Sequence, residues 1–249
     1  MLRDAPKINP QERGMSPAHV APAAQESGAS YTELMAQPTK PPRTATVGPD
    51  IAFWQQRFEK RETPWDRGTP NPQLQQWLDE GAISAQAGAI AVPGCGAGHE
   101  VEALAAAGCA VVAIDYTPAA VELTRQRLAA RQLPSELVQA DVLAWRPALP
   151  LAAVYEQTCL CALHPDHWTA YAAQLHAWLR PGGRLFALFM QAPRDGGGEG
   201  FIVGPPYHSH VHAMRALFPA ALWDWPRPPY RRVPHANGFA ELAAVLTRL

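Results

Sequence analysis

From Gly88 to Met190 the chain alternates two hydrophobic patterns. Short continuous apolar runs predict buried strands at Ala89–Val92, Ala110–Ile114, Leu137–Ala140, Ala152–Tyr155 and Arg184–Met190. Between them lie stretches in which apolar residues recur every three or four positions, which predict helices. One covers Glu100–Ala107, with Glu100 and Glu102 near its positive end. A second is capped by Thr117, starts at Pro118 and ends near Arg131. A third runs from its cap Asp166 to Leu179 and is closed by Pro181-Gly182-Gly183. Strands separated by helices pair in parallel through right-handed crossovers. The pattern therefore predicts an α/β fold with helices on both faces of a mostly parallel sheet.

Two further helices precede this region. Asp50 caps the first, which ends before Thr63-Pro64 and places Trp54 and Phe58 on one face. The second spans Pro70–Glu80, with Leu74, Trp77 and Leu78 together. At the other end, Gln191–Pro206 reads as a Gly/Pro-rich loop and Ser209–Phe218 as a helix. Ala221–Trp225 and Ala240–Thr247 predict a final antiparallel pair at the sheet edge, joined by a loop over Pro226–Pro234. That makes seven strands.

Residues 1–49 hold no period for long and are dominated by Pro, Gly, Ser, Ala, Gln and Thr. They read as a disordered extension or as the product of a start assigned too far upstream, with Met15 and Met35 as later starts. Residues 50–249 form the expected domain.

Composition narrows the class. A hydrophobic fraction of 47% with 17% charged residues suits a globular chain, and a net charge of −1 creates no field toward nucleic acid or anionic membrane. No apolar run is long enough to span a membrane and no signal segment is present, so a cytoplasmic protein is expected. Cys95, Cys109, Cys159 and Cys161 are then expected as free thiols. Nothing indicates a coiled coil, and a monomer is the expectation.

The candidate chemistry sits at the strand ends. Gly94-Cys95-Gly96-Ala97-Gly98 follows the first strand and opens the first helix, where glycines let the backbone approach a ligand. Asp115 ends the second strand, placed to accept both hydroxyls of an adenosine ribose. Asp141 and Val142 follow the third, where an acid and an apolar neighbour suit an adenine. A GxGxxG dinucleotide fingerprint is absent. On these residues alone an NAD-type oxidoreductase remains the alternative, as does a non-catalytic cofactor-binding protein.

Further residues resemble a known family. Phe53-Trp54, Phe58, Thr63-Pro64-Trp65-Asp66 and Gly68, followed by Val92-Pro93-Gly94-Cys95-Gly96, resemble the thiopurine S-methyltransferase superfamily, which includes halide/thiol methyltransferases. The similarity continues through Asp115, Asp141-Val142, Cys161-Ala162, Leu179–Gly183 and Gly204-Pro205-Pro206-Tyr207. It implies a Rossmann-like class I methyltransferase that uses S-adenosylmethionine. It implies that Trp54, Phe58 and Trp65 enclose the cofactor and that Gly94 and Gly96 form its turn. Asp115 matches the ribose ligand, Asp141 and Val142 the adenine site, and Gln157 a further cofactor contact. Phe58 stands where relatives often have Trp, and Gln157 where relatives carry Tyr or Arg.

The aromatic trio makes physical sense for such a ligand, because a sulfonium is a cation and aromatic faces attract cations. Displacement at a sulfonium needs no acid, and a thiolate or halide nucleophile needs little base, so positioning carries most of the rate. Small thiols, thiopurines, halides or bisulfide are the expected acceptors. Glu156 and Tyr207 are the candidate catalytic groups. His208, His210 and His212 alternate as metal ligands would, but no carboxylate or thiol accompanies them in sequence, and no metal is expected.

Overall fold

The computed structural model describes residues 48–193, 202–235 and 238–249. Residues 46–249 form one compact unit. The expectation of a tail over residues 1–49 falls outside the described residues, apart from Gly48 and Pro49.

The unit begins with α1 (Ile51–Glu59) and α2 (Pro72–Asp79). Asp50 caps α1 by accepting from Phe53 N at 2.9 Å, and Asn71 caps α2 by accepting from Gln73 N at 2.9 Å. The alternating region follows as β1 (Ile90–Pro93), α3 (His99–Ala106), β2 (Val111–Asp115), α4 (Pro118–Ala130), β3 (Glu136–Gln139) and β4 (Leu151–Gln157). Then come the one-turn α5 (Cys159–Ala162), α6 (Trp168–Trp178), β5 (Leu179–Gln191), α7 (Val211–Leu217), β6 (Trp223–Asp224), β7 (Arg231–Pro234) and β8 (Ala240–Arg248).

The sheet order is β3-β2-β1-β4-β5-β8-β6, with β7 also paired to β8. β1 to β5 are parallel, and β8 runs antiparallel to β5, β6 and β7. The expected α/β fold is therefore present, with differences at one end. Among the described residues there are eight strands rather than seven, because the edge is two short pieces, β6 and β7, laid against one strand. The antiparallel strand β8 lies inside that edge rather than on it. Arg231–Pro234, expected as loop, pairs because β8 offers a second row of backbone groups that burial leaves needing partners.

Alternation along β4 and β5 builds two cores. Val154 and Ala187 join Tyr171, Leu175 and Trp178 on one face, while Tyr155 and Phe186 join Leu74, Trp77, Val101 and Leu104 on the other. Both faces are thus covered, as a parallel sheet requires. Three local expectations change. Thr117 occupies the cap position of α4 but makes no capping bond there. The helix expected from Asp166 is a turn of 3₁₀ helix followed by α6, and His164 rather than Asp166 accepts the capping bond. β5 starts at Leu179 and passes through Pro181-Gly182-Gly183 after a register shift, so that tripeptide kinks a strand rather than closing a helix.

Candidate active site

The carboxyl ends of β1, β2 and β4 open into a cavity of about 860 Å³, a size that suits a cofactor with a small second reactant. Each residue expected at the cofactor lines it: Trp54, Phe58, Trp65, Gly94, Gly96, Asp115, Asp141, Val142 and Gln157.

The floor is the turn after β1. Gly94 and Gly96 take left-handed angles, φ 61° and 54°. A Cβ on Gly94 would lie 3.1 Å from both Cβ and Sγ of Cys159, so the turn reaches the start of α5 only with glycine there. The Gly96 N–H donates to Asp115 Oδ2 at 3.1 Å. Asp115 Oδ1 accepts from the Thr117 N–H at 2.9 Å and its hydroxyl at 2.7 Å. This explains the missing cap on α4: the Thr117 hydroxyl is turned back to Asp115. Burial pushes the Asp115 carboxyl up, and its Thr117 and Gly96 donors oppose that push. The free N–H of Ala119 instead donates to Gln55 Oε1 at 3.0 Å, which fastens α1 to the start of α4.

The roof is aromatic. Trp65 meets Trp54 at 5.4 Å and Phe58 at 6.0 Å between centroids, nearly perpendicular in both cases. Its loop is held by the next residue. Asp66 Oδ1 accepts from Gly68 N at 2.7 Å and lies 3.0 Å from His99 Nε2 on α3. Burial lowers the His99 pKa, with Asp66 opposing. Asp141 is exposed, and its Oδ1 accepts from Leu143 N at 2.8 Å, while Val142 packs into the core. Gly48 and Pro49 also line the cavity, so these two residues of the expected tail belong to its wall.

Both catalytic candidates stand elsewhere. Glu156 is 2% exposed, and its Oε1 accepts from Leu160 N at 2.7 Å, satisfying the start of α5. Burial, the largest influence, raises its carboxyl to about 7. It points away because side chains alternate along β4, and Gln157 takes the cavity side. Tyr207 is buried outside the lining; its N–H donates to Cys161 O at 2.7 Å and its ring packs edge-on to His164 at 5.4 Å. Neither side chain is part of the cavity lining.

Sequence reasoning passed over a polar cluster at the cavity wall. Gln157 Nε2 donates to Glu241 Oε1 at 3.1 Å, and Tyr155 Oη donates to Gln157 Oε1 at 2.8 Å. Asn71 Nδ2 donates to Glu241 Oε2 at 2.8 Å. The available signal was a lone acid in the apolar run Ala240-Glu241-Leu242-Ala243-Ala244-Val245-Leu246. The alternating histidines serve the backbone: His208 Nδ1 accepts from Ala192 N and His210 Nδ1 from His212 N. Among the described residues no group of three His, Cys, Asp or Glu is placed to hold a metal. The four cysteines are buried free thiols.

The pattern of one family, described as thiopurine S-methyltransferase, matches residues 49–223. The chain belongs to the thiopurine S-methyltransferase family. It is 30% identical over 162 residues to a probable thiol methyltransferase 2 of Arabidopsis thaliana, covering 64% of this chain and 67% of that protein. It is 29% identical over 166 residues to thiocyanate methyltransferase 1 of the same plant, covering 66% and 70%. Among solved structures it resembles a 1,6-didemethyltoxoflavin-N1-methyltransferase of Burkholderia thailandensis with bound S-adenosylhomocysteine. That likeness has a TM-score of 0.62 at 19% identity and covers 80% of this chain and 86% of that one.

This chain is accordingly an S-adenosylmethionine-dependent methyltransferase of small nucleophiles, which sets the oxidoreductase and the non-catalytic alternatives aside. The cavity fits that ligand on its own terms. A Cβ at Gly94 in its floor would crowd Cys159 at 3.1 Å, its wall carries a buried carboxylate at Asp115, and its roof is aromatic.

Proposed function

We propose that this enzyme methylates a small soft nucleophile such as a thiol, a thiopurine, a halide or bisulfide. The observation that carries this is the cavity itself. It is roofed by Trp54, Phe58 and Trp65, and each carboxylate in its lining already accepts a hydrogen bond from the protein or pairs with His99. An acceptor that needs no proton removed suits such a site. The relatives named for thiol and thiocyanate support the same class.

The donor brings an electrophilic methyl group on a cationic sulfur. In this reading Asp115 holds the ribose hydroxyls, Asp141 and Val142 bracket the adenine, and Gly94 and Gly96 lie against the amino-acid part. The indole and phenyl faces of Trp54, Phe58 and Trp65 stabilise positive charge and exclude water. Gln157 contacts the donor from β4. The domain that does this is taken as residues 50–249, with Gly48 and Pro49 before it contributing to the cavity wall.

We place the enzyme in the cytoplasm, where its four thiols stay reduced. Among the described residues no helix is long and apolar enough to cross a membrane. We also propose a monomer, since the exposed large apolar side chains Ile51, Leu149 and Leu222 lie in segments far apart in the chain. Transfer of labelled methyl from S-adenosylmethionine to a panel of thiols, thiopurines, iodide and bisulfide tests the acceptor class. Product only with amines or alcohols refutes it.

A further inference from the structure

β8 carries one carboxylate into the interior of the sheet. Glu241 is fully buried, registered between Met190 of β5 and Val233 of β7, and lies beyond the residues matched by the family pattern. Its neighbours are donors from three separate segments. Asn71 Nδ2, at the cap of α2, reaches Oε2 at 2.8 Å, and Gln157 Nε2, at the end of β4, reaches Oε1 at 3.1 Å. Arg67 Nη2, in the loop that carries Trp65, donates to Pro234 O at 2.5 Å and lies 3.6 Å from Oε2. Gln157 and Arg67 line the cavity, whereas Glu241 stands behind them.

We propose that Glu241 is a positioning residue of the donor-binding cavity: as a carboxylate it sets the Gln157 amide and the Arg67 guanidinium against the bound S-adenosyl ligand. The proposal rests on the cavity being the donor site.

The requirement for the ionised form follows from the partners. All three present hydrogens, so a proton on either oxygen of Glu241 faces a donor. It gains an acceptor only if Gln157 or Asn71 turns its amide over, and an Asn71 turn breaks its cap bond to Gln73 N, which leaves Gln157 the amide on the cavity side. The Gln157 turn breaks the bond between Tyr155 Oη and Gln157 Oε1. Protonation therefore moves the cavity wall. Burial is the largest influence on Glu241 and, with Glu100 reinforcing it and Gln157, Arg67 and Asn71 opposing, raises the carboxyl to about 7. The other titratable groups facing it are Tyr155, Glu100, Glu156 and Cys161. Tyr155 and Cys161 are held well above their ordinary values by burial and stay protonated. Glu100 is raised by burial and accepts from Asn71 N. Glu156 also titrates near neutrality but is turned toward α5.

Calorimetry with S-adenosylhomocysteine between pH 6 and 8.5 tests this on the full chain, its Glu241→Gln variant and its Glu241→Asp variant. Wild type is expected to bind about tenfold more weakly at pH 6 than at pH 8. Glu241→Gln puts an amide N–H among donors, and is expected to bind about tenfold more weakly at pH 8 and to lose the pH slope. Glu241→Asp keeps the slope. The ligand's own ammonium titrates alike in all three proteins, so differences between them report on position 241. Wild-type affinity at pH 8 in Glu241→Gln, or an unchanged slope in it, overturns the proposal. If that variant does not fold, a flat wild-type profile, or a flat Glu241→Asp profile, overturns it equally. No binding by wild type at any pH refutes the assignment of the cavity itself, which is a separate result.

Discussion

Asp115→Asn separates donor affinity from fold stability. Asp115 accepts three hydrogen bonds, two from Thr117 at Oδ1 and one from Gly96 at Oδ2. Asparagine keeps one oxygen, which suits the two Thr117 donors, and turns its amide hydrogens toward the Gly96 N–H. The loss is one charge-assisted hydrogen bond, about 1.5–3 kcal/mol. An opposing gain comes from burial. The Asp115 carboxyl is raised, so the folded state holds its proton more tightly than the unfolded state does. Ionising it at neutral pH therefore costs stability, a cost that begins as pH rises through the unfolded pKa and is complete above the folded one. Asparagine carries no such cost. The two effects offset, and the net change is expected within about 2 kcal/mol, or about 4–8 °C in Tm. Affinity has no such compensation. A ribose hydroxyl that loses an ionised acceptor loses about 1.5–3 kcal/mol, or about 10- to 100-fold in Kd. Calorimetry with S-adenosylhomocysteine and a thermal melt measure both. A folded variant whose Kd stays within about threefold of wild type would refute the ribose role. A melt lowered by well over about 10 °C would show instead that Asp115 chiefly holds the turn.

Three further outcomes are expected. Trp65→Ala removes a ring from the roof and should weaken S-adenosylmethionine by about 0.5–2 kcal/mol, and S-adenosylhomocysteine by less because it lacks the sulfonium charge; equal losses for the two would show that the ring only fills space. Glu156, raised to about 7, keeps a proton between pH 4.5 and 7 that the unfolded chain has released, so its contribution to stability falls as pH rises through that window. Glu156→Gln keeps an oxygen for Leu160 N, so its Tm should gain on wild type from pH 5 to pH 8 while turnover stays within about threefold; a hundredfold loss of turnover, on the order of 3 kcal/mol, would make Glu156 a base after all. Trp178 is 0% exposed, packs on the Trp145 ring at 4.9 Å and donates to Trp145 O at 3.1 Å. Trp178→Ala should cost about 3–5 kcal/mol, and a denaturant titration giving under about 1 kcal/mol would contradict the packing described for that face.

The strand-end residues were legible because each role depends on local order. A glycine turn after an apolar run, or an acid as the last residue of a strand, keeps its place whatever the rest of the chain does. Asp50 as a cap was legible for the same reason: capping involves residues three apart. Thr117 was misread because its hydroxyl had two local choices, its own helix or Asp115, and the cavity decided between them. Asp166 lost its cap role to His164 when the chain entered through a turn of 3₁₀ helix. Glu156 and Gln157 are adjacent, and a one-residue shift in the register of β4 exchanges which of them faces the cavity. The edge was misjudged because β6 and β7 are too short to show a period.

The sequence by itself determined the alternating strands and helices from β1 to β5, the glycine turn, and the acids at Asp115 and Asp141, whereas the aromatic roof was expected only from the family resemblance. The strands, helices, turn and acids follow from periodicity and short-range chemistry, which are properties of neighbours in the chain. Tertiary structure decided which side of β4 faces the cavity, and it placed Glu156 and Tyr207 outside the lining. It also brought Arg67, Asn71, Gln157 and Glu241 together across as many as 174 positions. No local pattern marks such a cluster, because a buried carboxylate is defined by the donors that fold around it.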